Sequence, residues 1–240
     1  MKTLKNKVVK IHIFLLFSIL TTTLLSCEKD NFAPPSLTLS GKLVYKGEPL
    51  QVEYNQVPFQ IYQYGFGKIG PISQVFAPEG TYSSLLFAGD YKLTVSNATV
   101  PFRWPQTVAG KPDSLTINLT SDKTMDIEVI PYFMVRDSKI VSASGNVSSS
   151  FKVEKIINDA NAKSISKVVL FINKTQFVSN TDNIGSTSLN GNDIVNINNI
   201  NLAVKIPTLV PVQNYIFARV GVQIAGLNSW VFSPVQKLNL

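Results

Sequence analysis

The sequence predicts an all-β chain: two consecutive β-sandwich domains after a lipoprotein signal peptide and a short tether. Three observations lead there. Short segments of alternating apolar and polar residues recur along most of the chain, the period-two signature of half-buried strands. Gly, Pro, Asn and Asp collect between those segments, where turns need them. No stretch repeats apolar residues at helical spacing, and NDANAKSIS (158–166) has room for one helical turn at most.

The first thirty residues are of another kind. Lys2, Lys5, Lys7 and Lys10 precede the apolar run IHIFLLFSIL and TTTLL. A positive segment followed by about 15 apolar residues reads as a secretory signal, too short and wrongly flanked for a spanning helix. It ends Leu24-Leu25-Ser26-Cys27, which resembles the bacterial lipobox. That resemblance implies removal of residues 1–26 and lipidation of Cys27, with several acyl chains on one residue because a single chain anchors only marginally. Residues 27–36 then read as the lipidated cysteine and a polar tether. Glu28 and Asp30 are similar to the acidic export tag of Bacteroidetes surface lipoproteins, which implies an outer-membrane anchor facing the cell exterior.

In the first domain, expected over residues 37–122, LTLSGKLVY (37–45) alternates about a period of two and KGEP supplies a turn. VPFQIYQY (57–64) places Val57, Phe59 and Ile61 on one face and Gln60, Tyr62 and Tyr64 on the other. PISQVF leads to the APEG turn. TYSSLLFAGDYKLTVS (81–96) reads as a hairpin turning at Ala88-Gly89-Asp90, and LTINLT (115–120) closes the set. A break at SDKT (121–124) opens the second domain, expected over residues 123–240. Its strands are TMDIEVIPYFMV, KIVSASGNVSSSFKVEKI, ISKVVLFINKT, NLAVKIPTL, NYIFARVGVQIAG and WVFSPVQKLNL. NTDNIGSTSLNGND (180–193) reads as a long polar loop.

Composition removes whole classes of function. Residues 1–26 hold four of the 22 Lys and Arg and none of the 15 Asp and Glu, so the remainder carries 22 − 4 = 18 bases against 15 acids. A balance of +3 without a basic stripe gives no nucleic-acid footprint. The single histidine, His12, lies inside the signal. The remainder therefore lacks Ser-His-Asp and Cys-His nucleophilic machinery and histidine-ligated zinc. No P-loop, GxGxxG or GxSxG context occurs. No cofactor and no metal are implied, and an enzyme is not expected. Without disulfides, stability must come from well-filled cores.

The pattern SGKLVYKGEPLQ, an aromatic strand, then APEGTYSSLLFAGDYKLTV resembles a transthyretin-like or carboxypeptidase-regulatory-like module. Glu79 stands where such modules usually carry Asp. With the lipobox and NYIFARVGV…WVFSPVQKL, the chain resembles an uncharacterised two-domain Bacteroidetes lipoprotein family, the second domain being immunoglobulin- or fibronectin-III-like. The resemblance implies a place beside Sus-type outer-membrane glycan-uptake systems and carries over no catalytic residue.

Two groups of residues are candidates for binding. Tyr62, Tyr64 and Phe66 alternate along one strand face, where aromatic rings can stack on the apolar C–H faces of sugars while Gln60 and Gln63 meet hydroxyls. The competing reading buries that row against the second domain. Phe102, Arg103 and Trp104, braced by Pro101 and Pro105, form either a binding tip or a plug over the sandwich end. Trp230 reads as core or interdomain packing. Asp182, Asn183, Asn190 and Asp193 offer oxygen ligands but lack the spacing of a calcium loop. The functional expectation is a non-catalytic accessory of glycan capture, binding carbohydrate weakly through aromatic residues. Its partners would be the membrane through the lipid anchor, a glycan and an outer-membrane uptake complex. The alternative is a structural, adhesion or adaptor module with protein partners and no sugar site. A carboxylate hydrolase would need two acids facing each other across a cleft.

Overall fold

The computed structural model describes residues 33–65, 70–95, 99–104 and 114–240. Cys27, the signal and most of the tether lie outside the described residues, as does Phe66. Apart from one three-residue 3-10 turn, Gly191–Asp193, the regular elements among the described residues are strands. Residues 158–166, with room for one helical turn at most, hold a turn at 160–161 and no helix.

Leu37–Tyr45 is the hub of the first sheet. Thr81–Leu86 runs antiparallel along it, from Leu37 opposite Leu86 to Lys42 opposite Thr81. Lys123–Thr124 and Ile127–Glu128 run parallel to it, and Glu48–Pro49 folds back onto Val44 and Tyr45. Three acids on the returning segment reinforce this pairing. Asp122 accepts the Thr38 N–H at 2.8 Å, Asp126 the Lys42 N–H at 3.1 Å and Glu128 the Lys46 N–H at 2.6 Å. Residues 123–129 therefore belong to the first sandwich, and the break at 122–123 falls too early. The polar SDKT run is the start of a sheet-edge strand, not a linker.

The facing sheet is ordered Pro71–Val75, Pro58–Gln63, Gly89–Val95, Leu115–Leu119, antiparallel throughout. The hairpin expected across Ala88-Gly89-Asp90 does not form. Thr81–Leu86 pairs in the first sheet and Gly89–Val95 in the second, so the chain changes sheets at Phe87 and Ala88. The reason lies in the alternation itself. Tyr82, Ser84 and Leu86 and then Tyr91, Leu93 and Val95 are all buried, so both strands direct one face into a shared interior from opposite walls. The buried Tyr91 ring pins the corner by donating its hydroxyl to the Phe87 carbonyl at 2.8 Å. Phe59, Phe76 and Tyr82 meet in the middle with ring centroids 4.6–5.7 Å apart, tilted and edge-on as ring quadrupoles favour.

The second sandwich packs a three-stranded sheet (Phe133–Ala143, Asn146–Lys155, Ile200–Lys205) against a larger one. The larger sheet runs Gly185–Asn190, Ile165–Asn173, Tyr215–Ile224, Trp230–Phe232, with Gln236–Asn239 also pairing to Tyr215–Ile224. Gly185–Asn190 falls inside the segment expected to be a polar loop. It is an edge strand whose side chains are Ser, Thr, Leu and Asn, polar because an edge strand is half solvated and must resist further pairing.

The two sandwiches are continuous. Gln51–Val52, from the first, forms the last strand of the second sandwich's larger sheet, with Val52 opposite Val231 and Gln51 opposite Phe232. One buried apolar cluster runs from Leu39 through Phe133 to Val231. Two ion pairs cross the junction at the surface: Arg103 to Asp159, and Arg136, which also pairs with Glu154 of its own sandwich, to Glu48.

Candidate functional site

The two groups of residues read from sequence meet different fates. Tyr62 and Tyr64 follow the buried Phe59 and Ile61 on the opposite face of their strand. Tyr62 is half-buried and spends its hydroxyl on Gln60 Oε1 at 2.8 Å. Tyr64 is 46% exposed, with Lys92 Nζ 5.9 Å from its ring centre. The face is thus not sealed against the second sandwich. Phe102 and Trp104, by contrast, are each about 1% exposed and belong to the common core. They present no ring to solvent, so the binding-tip reading of this pair gives way to the plug. Arg103 points outward, and its Nη2 donates to Asp159 Oδ1 at 2.9 Å and Oδ2 at 2.7 Å. The Asn161 N–H and then Arg103 hold the Asp159 carboxyl below its ordinary range. Trp230 is buried, as expected.

Asp182 and Asn183 lie at one end of the Gly185–Asn190 strand, and Asn190 and Asp193 at the other, roughly 20 Å away at 3.3 Å per residue. They do not converge. Among the described residues no three His, Cys, Asp or Glu side chains are grouped to hold a metal ion.

A different constellation forms at the junction of the sandwiches. A cleft of about 510 Å³ is lined from the first sandwich by Tyr54, Ala77, Pro78 and Glu79, and from the second by Gln176–Ser179, Thr181, Asp182 and Arg219. Each wall is built by local chemistry. Tyr54 lies two residues beyond the strand Gln51–Val52, which is held between Trp230–Phe232 and the Pro78 carbonyl, the latter accepting the Val52 N–H at 2.9 Å. The APEG turn is closed by the Gly80 N–H on Ala77 O at 2.8 Å. On the other wall, the buried Asn173 is the hub of the 176–182 loop. Its amide donates to Phe177 O at 2.6 Å and to Asp182 Oδ1 at 2.9 Å. Ser179 Oγ accepts the Thr181 and Asp182 N–H groups. The Asn180 N–H crosses to Glu53 Oε2 at 3.2 Å and ties the two walls together. Loops so braced hold their side chains in place before a ligand arrives.

Tyr54 and Phe177 stand at the lips, 60% and 58% exposed. Arg219 contributes to the lining although only 1% of it is exposed. Its guanidinium carbon lies 3.6 Å from the Phe232 ring centre, a cation–π contact. Phe232 in turn packs in an aromatic cluster with Phe171 and Trp230. Among the described residues Arg219 Nε and Nη1 and Glu53 Oε1 are buried without a hydrogen-bond partner. Burial pushes the Arg219 guanidinium down to about 10, against the opposing fields of Glu53 and Glu79. An apolar cleft with aromatic lips and a few convergent polar groups is the usual form of a small-ligand site.

Sequence reasoning singles out none of Tyr54, Phe177 and Arg219 for binding. The one available signal is an arginine inside the otherwise apolar YIFARVGVQI, which marks a strand buried on both faces with a charge on one of them. Tyr54 and Phe177 sit in short polar turns whose proximity depends on the docking of two sheets.

Two family models match the chain: the DUF3823 N-terminal domain, described as a protein of unknown function, over residues 37–130, and the domain of unknown function DUF3823_C over residues 133–237. Among solved structures, a DUF3823 family protein from Parabacteroides merdae is 30% identical with a TM-score of 0.74. One from Bacteroides ovatus is 27% identical with a TM-score of 0.73. A candidate carbohydrate binding protein from Bacteroides uniformis is 16% identical with a TM-score of 0.66. Each comparison spans 86% of this chain and all of the other. No curated protein matches the chain.

Proposed function

The chain belongs to the DUF3823 family, and from that premise we propose that it is a non-catalytic accessory of glycan capture, lipid-anchored at the outer membrane and facing outward. The observation that carries the glycan reading is the junction cleft, with Tyr54 and Phe177 as stacking faces above Glu79, Asp182 and Arg219. Sugars are amphipathic in the same way. Their C–H faces lie against aromatic rings, while their hydroxyls donate to carboxylates and accept from a guanidinium. The Bacteroides uniformis neighbour described as a candidate carbohydrate binding protein has the same fold, which agrees with this reading. The anchor and its orientation rest on the lipobox and the acidic residues behind Cys27.

The test is titration of the purified protein with a panel of plant, host and microbial oligosaccharides, alongside Tyr54→Ala and Phe177→Ala. Each truncation is expected to weaken binding about tenfold, the equivalent of roughly 1.4 kcal/mol and within the range for aromatic contacts. Reducing-end assays on the same sugars should detect no cleavage. If no oligosaccharide binds, or if both truncations leave binding intact, the cleft is not a glycan site. If no oligosaccharide binds at all, protein-partner adaptor function is the better reading.

A further inference from the structure

We infer that the junction cleft takes an N-acetylated sugar unit, whose acetamido carbonyl reaches the floor and accepts from Arg219; this rests on the glycan-binding reading above. The observation is an unsatisfied donor. Arg219 is almost fully buried yet lines the cleft, and its Nε and Nη1 have no hydrogen-bond partner among the described residues. The ion pairs among those residues leave it out. Glu53 and Glu79 act on it only through their fields, and Glu53 Oε2 is held by the Asn180 N–H. Beyond its stacking on Phe232, the guanidinium gains no contact inside the protein that offsets its desolvation. An apolar side chain of similar volume often replaces such a buried charge without loss of stability. Buried donors are costly to leave unpaired, and at the floor of a cleft they are open to an acceptor carried by the ligand.

Depth and lining select that acceptor. Tyr54 and Phe177 stand exposed at the lips, so a sugar ring stacked on them stays near the mouth. A ring hydroxyl is attached directly to the ring and ends there, whereas an acetamido group carries its carbonyl a whole amide further in. That group combines a neutral acceptor, an N–H donor and an apolar methyl. The cleft has a counterpart for each part. Arg219 supplies N–H donors to the carbonyl. Asp182 gives Oδ1 to the Asn173 amide and keeps Oδ2 for the ligand N–H. Ala77, Pro78 and Val178 give the methyl an apolar wall. The hydroxyls of Ser179 and Thr181 do not compete, because they lie 3.0 Å apart and Ser179 Oγ also accepts two backbone N–H groups. A hydrogen bond from a charged donor is among the stronger kinds. A site built around one discriminates against the analogue that cannot complete it.

The experiment titrates the full-length, detergent-solubilised protein with chitohexaose and cellohexaose. These identically linked probes carry acetamido and hydroxyl, respectively, at one ring position and are otherwise alike. Chitohexaose is expected to bind at least about tenfold tighter. Arg219→Met, which keeps the bulk and removes the donors, should bring the two probes within about threefold of each other. Its melting temperature should stay at or above that of the parent, which a structural arginine would not allow. Where the variant melts well below the parent or fails to fold, the nitrogen-edited spectrum of the parent decides. The Arg219 Nε–H resonance should move with chitohexaose and not with cellohexaose. Equal binding of the two probes, a preference that survives in a folded Arg219→Met, or an Nε–H that chitohexaose leaves unmoved would each overturn the inference. So would tighter binding of oligogalacturonate than of chitohexaose, since the acceptor at Arg219 would then be a carboxylate. In all these cases binding of some sugar keeps the glycan reading intact. Binding of none of these probes, nor of the wider oligosaccharide panel, would remove that reading and the inference with it.

Discussion

Trp104 follows Arg103 and precedes Pro105 in a segment whose composition suggests a presented loop, yet its ring is 1% exposed within the shared core. Truncation there removes buried area and leaves a void. Trp104→Ala is expected to cost about 3–5 kcal/mol, lowering the melting temperature by roughly 6–20 °C, as thermal denaturation followed by circular dichroism would report. Tyr82 gives a pH-dependent counterpart. Burial, and then the field of Asp126, raise its phenol well above the ordinary value, and its hydroxyl donates to Met125 O at 2.7 Å. The unfolded chain loses that proton near pH 10 while the folded chain keeps it. The folded state therefore binds more protons above that pH, and stability declines as pH rises further. The stability difference between parent and Tyr82→Phe should be flat below about pH 9 and shrink above pH 10, as urea titrations at several pH values would show. Residue-scale legibility divides along the same line. Tyr91 acts within one corner, its hydroxyl reaching Phe87 four residues away. Arg219, Tyr54 and Phe177 were not legible, because what each touches lies far away in sequence.

At the scale of elements, strand positions were legible and strand partners were not. The alternation in TYSSLL and GDYKLTV marks two strands with buried faces, and both exist. Adjacency suggested a hairpin, whereas the chain crosses between sheets. Local periodicity reports which residues are buried but not which wall of the sandwich buries them. The APEG turn is an element whose geometry reaches the cleft. Gly80 has a φ of +76°, and a β-carbon there would collide with the Leu50 carbonyl oxygen. Gly80→Ala is expected to destabilise by about 1–3 kcal/mol from backbone conformation alone. It should also displace the Leu50–Tyr54 segment and weaken oligosaccharide binding several-fold, beyond what the melting shift explains. Calorimetric melting paired with titration separates the two effects.

Across the whole molecule, residues 35–240 form one compact unit, although two family models divide them. The shared core and the strand Gln51–Val52 in the second sandwich's sheet couple the halves. Thermal unfolding should therefore be a single transition, with tryptophan fluorescence and far-ultraviolet circular dichroism coincident. Residues 133–237 expressed alone should melt lower, since the Trp230–Phe232 strand would lose its neighbour. Two separated transitions in the parent would contradict this coupling. The anchor is tested apart from the fold. Cys27→Ala should release the protein from the membrane fraction, and continued membrane association would argue against lipidation.

From the sequence alone came the all-β class, most strand positions, and the expected leader and anchor, with the lack of histidine- and thiol-based chemistry that they imply. These depend on composition, on period-two burial and on short contiguous motifs, all of which are local. Tertiary structure decided the sheet partners, the true end of the first sandwich, the burial of Trp104 and the cleft itself. Tyr54, Glu79, Phe177 and Arg219 lie as much as 165 positions apart in sequence. They share one wall-to-wall space because Gln51–Val52 docks onto the edge of the other sandwich's sheet, a long-range pairing that no local pattern encodes.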